Sequence, residues 1–159
     1  MIRRTFLIAL AASALLAACA TTPAPAPLAD TLARDPQLST FNRLLSQAGL
    51  ADELRAAGPI TVFAPSDDAF KAVPPKTMEA LAADPAQLKA LLSYHVIDGR
   101  MAAADVKPGT AKTHQGATLA LAKAGSFVTV DDAVVQQADV VATNGVAHVV
   151  DRVLMPPKK

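Results

Sequence analysis

The chain of 159 residues has no tryptophan and a single tyrosine, and aromatic residues make up only 4% of it. Its core must therefore be aliphatic, built mainly from leucine, valine and alanine. One cysteine excludes an intrachain disulfide, a CxxC redox pair and a cysteine-rich zinc site. Neither sign of charge is in excess, with fifteen basic residues against fourteen acidic ones. Such a balance gives no basic footprint for nucleic acid and no polybasic patch for a membrane. Catalytic motifs are missing as well: there is no G-x-S-x-G elbow, H-E-x-x-H pair, G-x-G-x-x-G turn or phosphate-binding loop. His95, His114 and His148 have no metal-ligand spacing among them. The expectation is a non-enzymatic protein without cofactor or metal, of a length that suits one domain.

What is present begins with an export signal. Arg3 and Arg4 form a positive n-region, and Phe6 to Leu16 is an apolar stretch too short to anchor stably across a bilayer. The arginines also resemble a twin-arginine export motif, which leaves the export route open. The segment ends Leu16-Ala17-Ala18-Cys19, which resembles the lipobox of bacterial lipoproteins. That resemblance implies cleavage of residues 1–18 and a lipid on Cys19, which accounts for the odd cysteine. Losing Arg3 and Arg4 and no acid takes the net charge from +1 to −1. Residues 19–29 follow as a tether, with Pro23, Pro25 and Pro27 at alternate positions favouring an extended chain. At about 3.1 Å per residue this tether would reach roughly 30 Å.

The folded domain is expected over residues 30–157. Asp35-Pro36 reads as a helix start, and Leu38, Phe41, Leu44, Leu45 and Ala48 share one face up to Gly49. Leu50 to Arg55 reads as a second short helix, and Ile60 to Ala64 as a strand. Ser66 caps a further helix whose first turn carries Asp67 and Asp68. Adjacent acids on a helix point about 100° apart, so this pair does not converge on a metal or a substrate. Thr77 to Leu81 is expected to be helical, and Asp84-Pro85-Ala86-Gln87 opens the next helix as a capping box. Tyr94 to Ile97 reads as a strand. From Thr110 onward glycine-punctuated strands form a meander. It closes on Asn144-Gly145, read as a type I′ turn, and a strand from Val146 that Pro156 stops. Helices fill the first half and strands the second, which makes the fold α+β.

Lone histidines in valine-rich strands are usually core residues satisfied by backbone or a neighbouring polar group, and this is the reading of His95 and His148. Tyr94 is expected to bury its ring and find a partner for its hydroxyl. Asp151-Arg152 reads as a local ion pair and His114 as an exposed turn residue. A small hydrolase using His95 or His148 with a carboxylate is the remote alternative.

Three separated blocks agree in order. Thr61-Val62-Phe63-Ala64-Pro65-Ser66-Asp67-Asp68-Ala69-Phe70 resembles the first signature of the fasciclin (FAS1) domain, with Ser66 where threonine is more usual. Tyr94-His95 and the stretch Asn144 to Pro156 resemble two later signatures, with Ala147 where a larger aliphatic is usual. The resemblance implies a wedge-shaped β-sandwich with helices packed along it, and a general role in adhesion. In animal relatives integrin binding is attributed to a Tyr-His motif flanked by aliphatics and to an Asp-Ile motif upstream of the Asn-Gly turn. Leu91 to Ile97 matches the first, and Asp139-Val140 matches the second with valine for isoleucine. Tyr94, His95, Asp139 and Val140 are thus the candidate adhesion residues.

The reading that follows is a surface-anchored adhesion module, monomeric and joined to the membrane only through Cys19. Extracellular matrix, a surface polymer or another envelope protein would be its partner. The alternative is a periplasm-facing lipoprotein docking a partner protein or cell-wall polymer. Ala20 after the cysteine resembles the outer-membrane sorting pattern, which does not fix the face.

Overall fold

A computed structural model describes residues 24–156. Cys19 and the export signal lie outside the described residues. Within them the helical half comes first: α1 (Leu28–Ala33), a 3₁₀ turn (Pro36–Leu38), α2 (Ser39–Gln47) and α3 (Leu50–Ala56). Strand β1 (Ile60–Pro65) follows, then α4 (Asp67–Lys71), α5 (Pro75–Ala83) and α6 (Pro85–Tyr94). The rest is β2 (Val96–Asp98), β3 (Gly109–Lys112), β4 (Thr118–Ala124), β5 (Phe127–Val130), β6 (Ala133–Ala142) and β7 (Gly145–Val150).

The expected helix starts are made by their expected residues. The Asp35 carboxylate accepts from Gln37 N, and Ser66 Oγ accepts from Ala69 N. Asp84 accepts from Ala86 N and Gln87 N, and the Gln87 side chain returns a hydrogen bond to the same carboxylate at 2.8 Å. Asp68 pairs with Lys71 at the surface, while Asp67 turns away from it. Asp67 accepts from Ser39 Oγ at 2.6 Å and from Thr40 N at 2.8 Å, so the start of α2 is capped by a residue far along the chain. Burial works to raise the Asp67 pKa, but these hydrogen bonds outweigh it and hold the carboxyl below its ordinary range.

Several expectations are corrected. Leu28 and Ala29, assigned to the tether, are buried at the start of α1, and Leu32 one turn later is buried with them. The alternating prolines hid this helix start, because Pro27 stands at the N-cap with φ −55° and ψ 158°, close to the backbone of an extended proline run. Tyr94 is the last residue of α6 and His95 its C-cap, so the strand is only Val96–Asp98. Leu88, Leu91 and Leu92 carry the helical spacing straight into Tyr94 and override its local β preference. Asp151 does not pair with Arg152; its carboxylate accepts from Val134 N at 2.7 Å and ties the end of β7 to the start of β6.

The seven strands form one sheet in the order β2-β1-β7-β6-β5-β4-β3. Strand β7 lies between β1 and β6, parallel to the first and antiparallel to the second. The register slips twice along β6, between Val135 and Gln137 and between Gln137 and Val140. Such bulges bend a strand and increase its twist. The sheet curls so far that its two outer strands touch at the Ile97–Thr113 bridge. The result is the expected α+β wedge, with the two halves of one continuous sheet facing each other.

Alternation along the strands sorts the core into two parts. Val62, Ala64, Ala147 and Val149 face the helices and pack with Leu28, Leu32, Phe41, Leu45 and Leu92. Phe63, Val150, Leu119, Leu121, Val128 and Val130 face inward and fill the curled sheet around Tyr94 and Ile97. Each fully buried leucine or phenylalanine contributes about 1.5–3 kcal/mol relative to exposure. An aliphatic core without tryptophan is therefore adequate.

The Asn-Gly turn differs from expectation in an informative way. Ala142 pairs with Gly145, so the two-residue loop is Thr143-Asn144, and neither Asn144 nor Gly145 has positive φ. No type I′ turn forms. Glycine is needed at 145 for another reason: a Cβ there would collide with the carbonyl oxygen of Ile60 on the neighbouring strand.

Candidate functional site

Tyr94 and His95 owe their positions to the last turn of α6. The Tyr94 ring enters the interior of the curled sheet and is 3% exposed. Its hydroxyl donates toward Asp131 Oδ2 at 2.9 Å and lies 3.2 Å from the Thr118 carbonyl. Burial first, then the Asp131 carboxylate, push the phenol pKa up to about 12. Asp131 sits in the turn after β5 with a left-handed φ of 50°, and its other oxygen accepts from Ala120 N. The tyrosine therefore pins the helix to the β4–β5 hairpin.

His95 has no exposure at all. Its Nδ1 donates to the Leu91 carbonyl at 2.8 Å, and its Nε2 accepts from Leu154 N at 3.0 Å. Both bonds require the neutral ring protonated at Nδ1. Burial pushes its pKa down to about 4, against a smaller opposing effect of the Leu91 carbonyl. His95 thus holds the chain's C-terminal segment against α6. Its ring also lies 6.1 Å from that of Phe41 in α2.

Asp139 and Val140 occupy the bulged part of β6. Asp139 is exposed and adopts a left-handed φ of 57°. Its carboxylate accepts from Ala103 N at 2.7 Å, and its N–H points at His148 Nδ1 at 3.2 Å. His148 stacks on Phe63 and donates from Nε2 to the Met101 carbonyl at 2.8 Å. Burial lowers its pKa against weaker effects of Met101 and Asp139. Val140 is half-buried and packs on the helix-side core.

The four candidate adhesion residues are therefore not one surface. Tyr94 and His95 are interior, Val140 is partly so, and only Asp139 is open to solvent. The structure brings together Tyr94 with Asp131, His95 with Leu154, and Asp139 with His148. Both ring nitrogens of His95 and of His148 are engaged with backbone groups, so neither offers the free base that the hydrolase alternative needs. His114 is exposed as expected, 3.4 Å from the Asp98 carboxylate. Among the described residues no group of three or more His, Cys, Asp or Glu could hold a metal ion. Nor, among them, is any helix long and apolar enough to cross a membrane.

Two open clefts mark the surface instead. One, of about 360 Å³, is formed where the chain enters the domain, by Ala24, Pro25, Thr31, Arg34, Pro36 and Val141 among others. The other, of about 530 Å³, is formed by Ala120, Asp131, Asp132, Arg152, Val153 and Met155 with their neighbours. Among the described residues Phe127, Val141 and Met155 are the most exposed large apolar side chains, at 67%, 60% and 45%. Sequence reasoning missed both clefts, because each joins segments far apart in the chain and no local pattern marks them.

Comparison with known proteins agrees with this architecture. The fasciclin domain family model matches residues 36–156. The chain is 39% identical over 132 residues to protein sll1483 of Synechocystis sp., spanning 82% of this chain and 73% of that one. It is 35% identical over 136 residues to the cell surface glycolipoprotein MPB83 of Mycobacterium bovis, spanning 82% of this chain and 61% of the relative. Among solved structures, a FAS1 domain pair from the insect cell adhesion molecule fasciclin I matches with a TM-score of 0.66 and 19% identity, over 82% of this chain and 51% of that one. The helices wedged against a curled sheet, the buried Tyr94-His95 pair and the match over residues 36–156 agree: the chain belongs to the fasciclin domain family.

Proposed function

We propose that the protein is a lipid-anchored, non-enzymatic binding module of the cell envelope that holds one fasciclin domain near a membrane for adhesion. The observation that carries this reading is the order of the chain, in which a fasciclin domain follows almost directly on the lipobox-like Leu16-Ala17-Ala18-Cys19. Fasciclin domains are adhesion and binding modules, and a relative named as a cell surface glycolipoprotein supports the anchored form. His95, His148 and Tyr94 are spent on holding the fold, which leaves shape and surface chemistry as the means of recognition. Matrix, a surface polymer or another envelope protein is the partner class. A monomer binding weakly would gain from many anchored copies, since effective concentration multiplies modest affinities.

Protease accessibility on intact cells tests this, with a periplasmic protein as leakage control. Digestion of the domain with the control untouched is expected. Protection that is lost only when the outer membrane is permeabilised would rule out cell-to-cell adhesion and leave a periplasm-facing docking role.

A further inference from the structure

The chain is fastened to the domain well before α1. Thr143 N donates to the Ala26 carbonyl at 3.0 Å, and the Arg34 guanidinium donates to the Ala24 carbonyl at 3.1 Å. Ala26 is itself buried. Only the residues between Cys19 and Ala24 are then left as tether. Five steps of chain span at most about 17 Å, roughly half the reach of the whole proline-rich stretch. A folded body of this size has a radius of about 18 Å, from the usual scaling of compact chains. A tether no longer than that radius cannot let the attachment point turn to the far side of the domain.

We propose that the domain sits on its anchoring membrane with the entry cleft, lined by Ala24, Pro25, Arg34, Pro36 and Val141, against the lipid headgroups. This rests on the lipid-anchored reading above. The occupant of the cleft face is the bilayer surface that holds the acyl chains of Cys19. Val141 is 60% exposed beside Pro25 and Pro36, an apolar contact suited to the headgroup boundary. Arg34 and Asp35 both line the cleft and offset each other's charge, so the contact does not depend on anionic lipid. The larger cleft lies at the other end of β6. Val134, whose N–H is held by Asp151 there, is seven residues from Val141, at most about 23 Å along a strand that two bulges shorten. The face with Asp131, Asp132, Arg152 and Met155 is consequently turned outward and left for a partner.

The chain's one cysteine would carry lipid, so an introduced cysteine is the sole free thiol. The full-length protein is made in a bacterium that processes lipoproteins, as the variants Val141→Cys and Met155→Cys, both at exposed positions. Each is labelled with a fluorophore and reconstituted into phosphatidylcholine vesicles carrying a nitroxide on the lipid headgroup. Quenching several-fold stronger at 141 than at 155 is expected, unchanged when phosphatidylglycerol is added. Equal quenching, or stronger quenching at 155, on protein whose intact mass includes the acyl chains would overturn the orientation and leave the anchor standing. An intact mass without acyl chains would overturn both.

Discussion

Asn144 shows how much one side chain can organise. Its Oδ1 accepts from Leu28 N at 2.7 Å, and its Nδ2 donates to the Leu54 carbonyl at 2.6 Å with the Ala57 carbonyl nearby at 3.3 Å. It therefore joins the entry of α1, the exit of α3 and the β6–β7 loop. Asn144→Ala leaves several half-buried backbone groups without partners, at about 1–3 kcal/mol for each group that water does not reach. We expect a loss of about 3 kcal/mol in urea unfolding. Asn144→Asp should be no milder, since a carboxylate cannot donate to the Leu54 carbonyl.

His95 makes a prediction in pH. In the unfolded chain a histidine titrates near 6.5, whereas the folded ring is held at about 4. Between those values the unfolded state binds more protons, so stability rises with pH. The contribution of the neutral ring is complete above about pH 6.5 and is lost as pH falls toward 4, at no more than about 1.4 kcal/mol per pH unit. The lowered pKa of His148 acts in the same direction. Urea midpoints measured across that window should fall steadily with acidification, and a flat profile would contradict the buried neutral ring.

At the scale of elements, the pairing of β1 with β7 depends on a missing side chain. At Gly145 the Ile60 carbonyl fills the space a Cβ would need. Gly145→Ala must separate β1 from β7 or distort Ile60, and overpacking of this kind costs about 1–3 kcal/mol. A thermal melt should show the drop. By contrast Gly116→Ala, at a position with open space, acts only through its positive φ of 97°. A larger loss at 116 than at 145 would mean that turn strain, not strand approach, dominates. The boundary between α6 and β2 belongs to the same scale. Tyr94 and His95 look like strand residues in isolation, yet the leucines before them keep the helix going because its buried face is already committed.

For the whole molecule, the domain is larger than its signatures. The fasciclin match begins at residue 36, but Leu28 and Leu32 are fully buried against the helix-side core. A chain starting at Pro36 lacks those two side chains and one partner of Asn144, Leu28 N. Loss of two buried leucines at about 2–5 kcal/mol each approaches the total stability of a small domain. We expect that fragment to be largely unfolded by circular dichroism and by amide-proton dispersion, whereas a chain starting at Ala24 should melt cooperatively. Equal stability of the two would show α1 to be an accessory.

The sequence by itself determined the α+β order, the helix caps at Asp35, Ser66 and Asp84, the early strand and the family. Each of these is written in residues adjacent along the chain, where capping, periodicity and turn chemistry act. The burial of Tyr94, His95 and His148 was legible too, because polar rings in apolar surroundings need partners. Which partners they take was not legible. Asp131, Leu154 and Met101 meet those rings only once the sheet has curled. The real role of Gly145, the inclusion of residues 24–29 in the body, the dispersal of the four candidate adhesion residues and the two clefts were likewise decided by tertiary structure. They depend on contacts between separate segments, and no local pattern encodes a contact whose two sides are not neighbours along the chain.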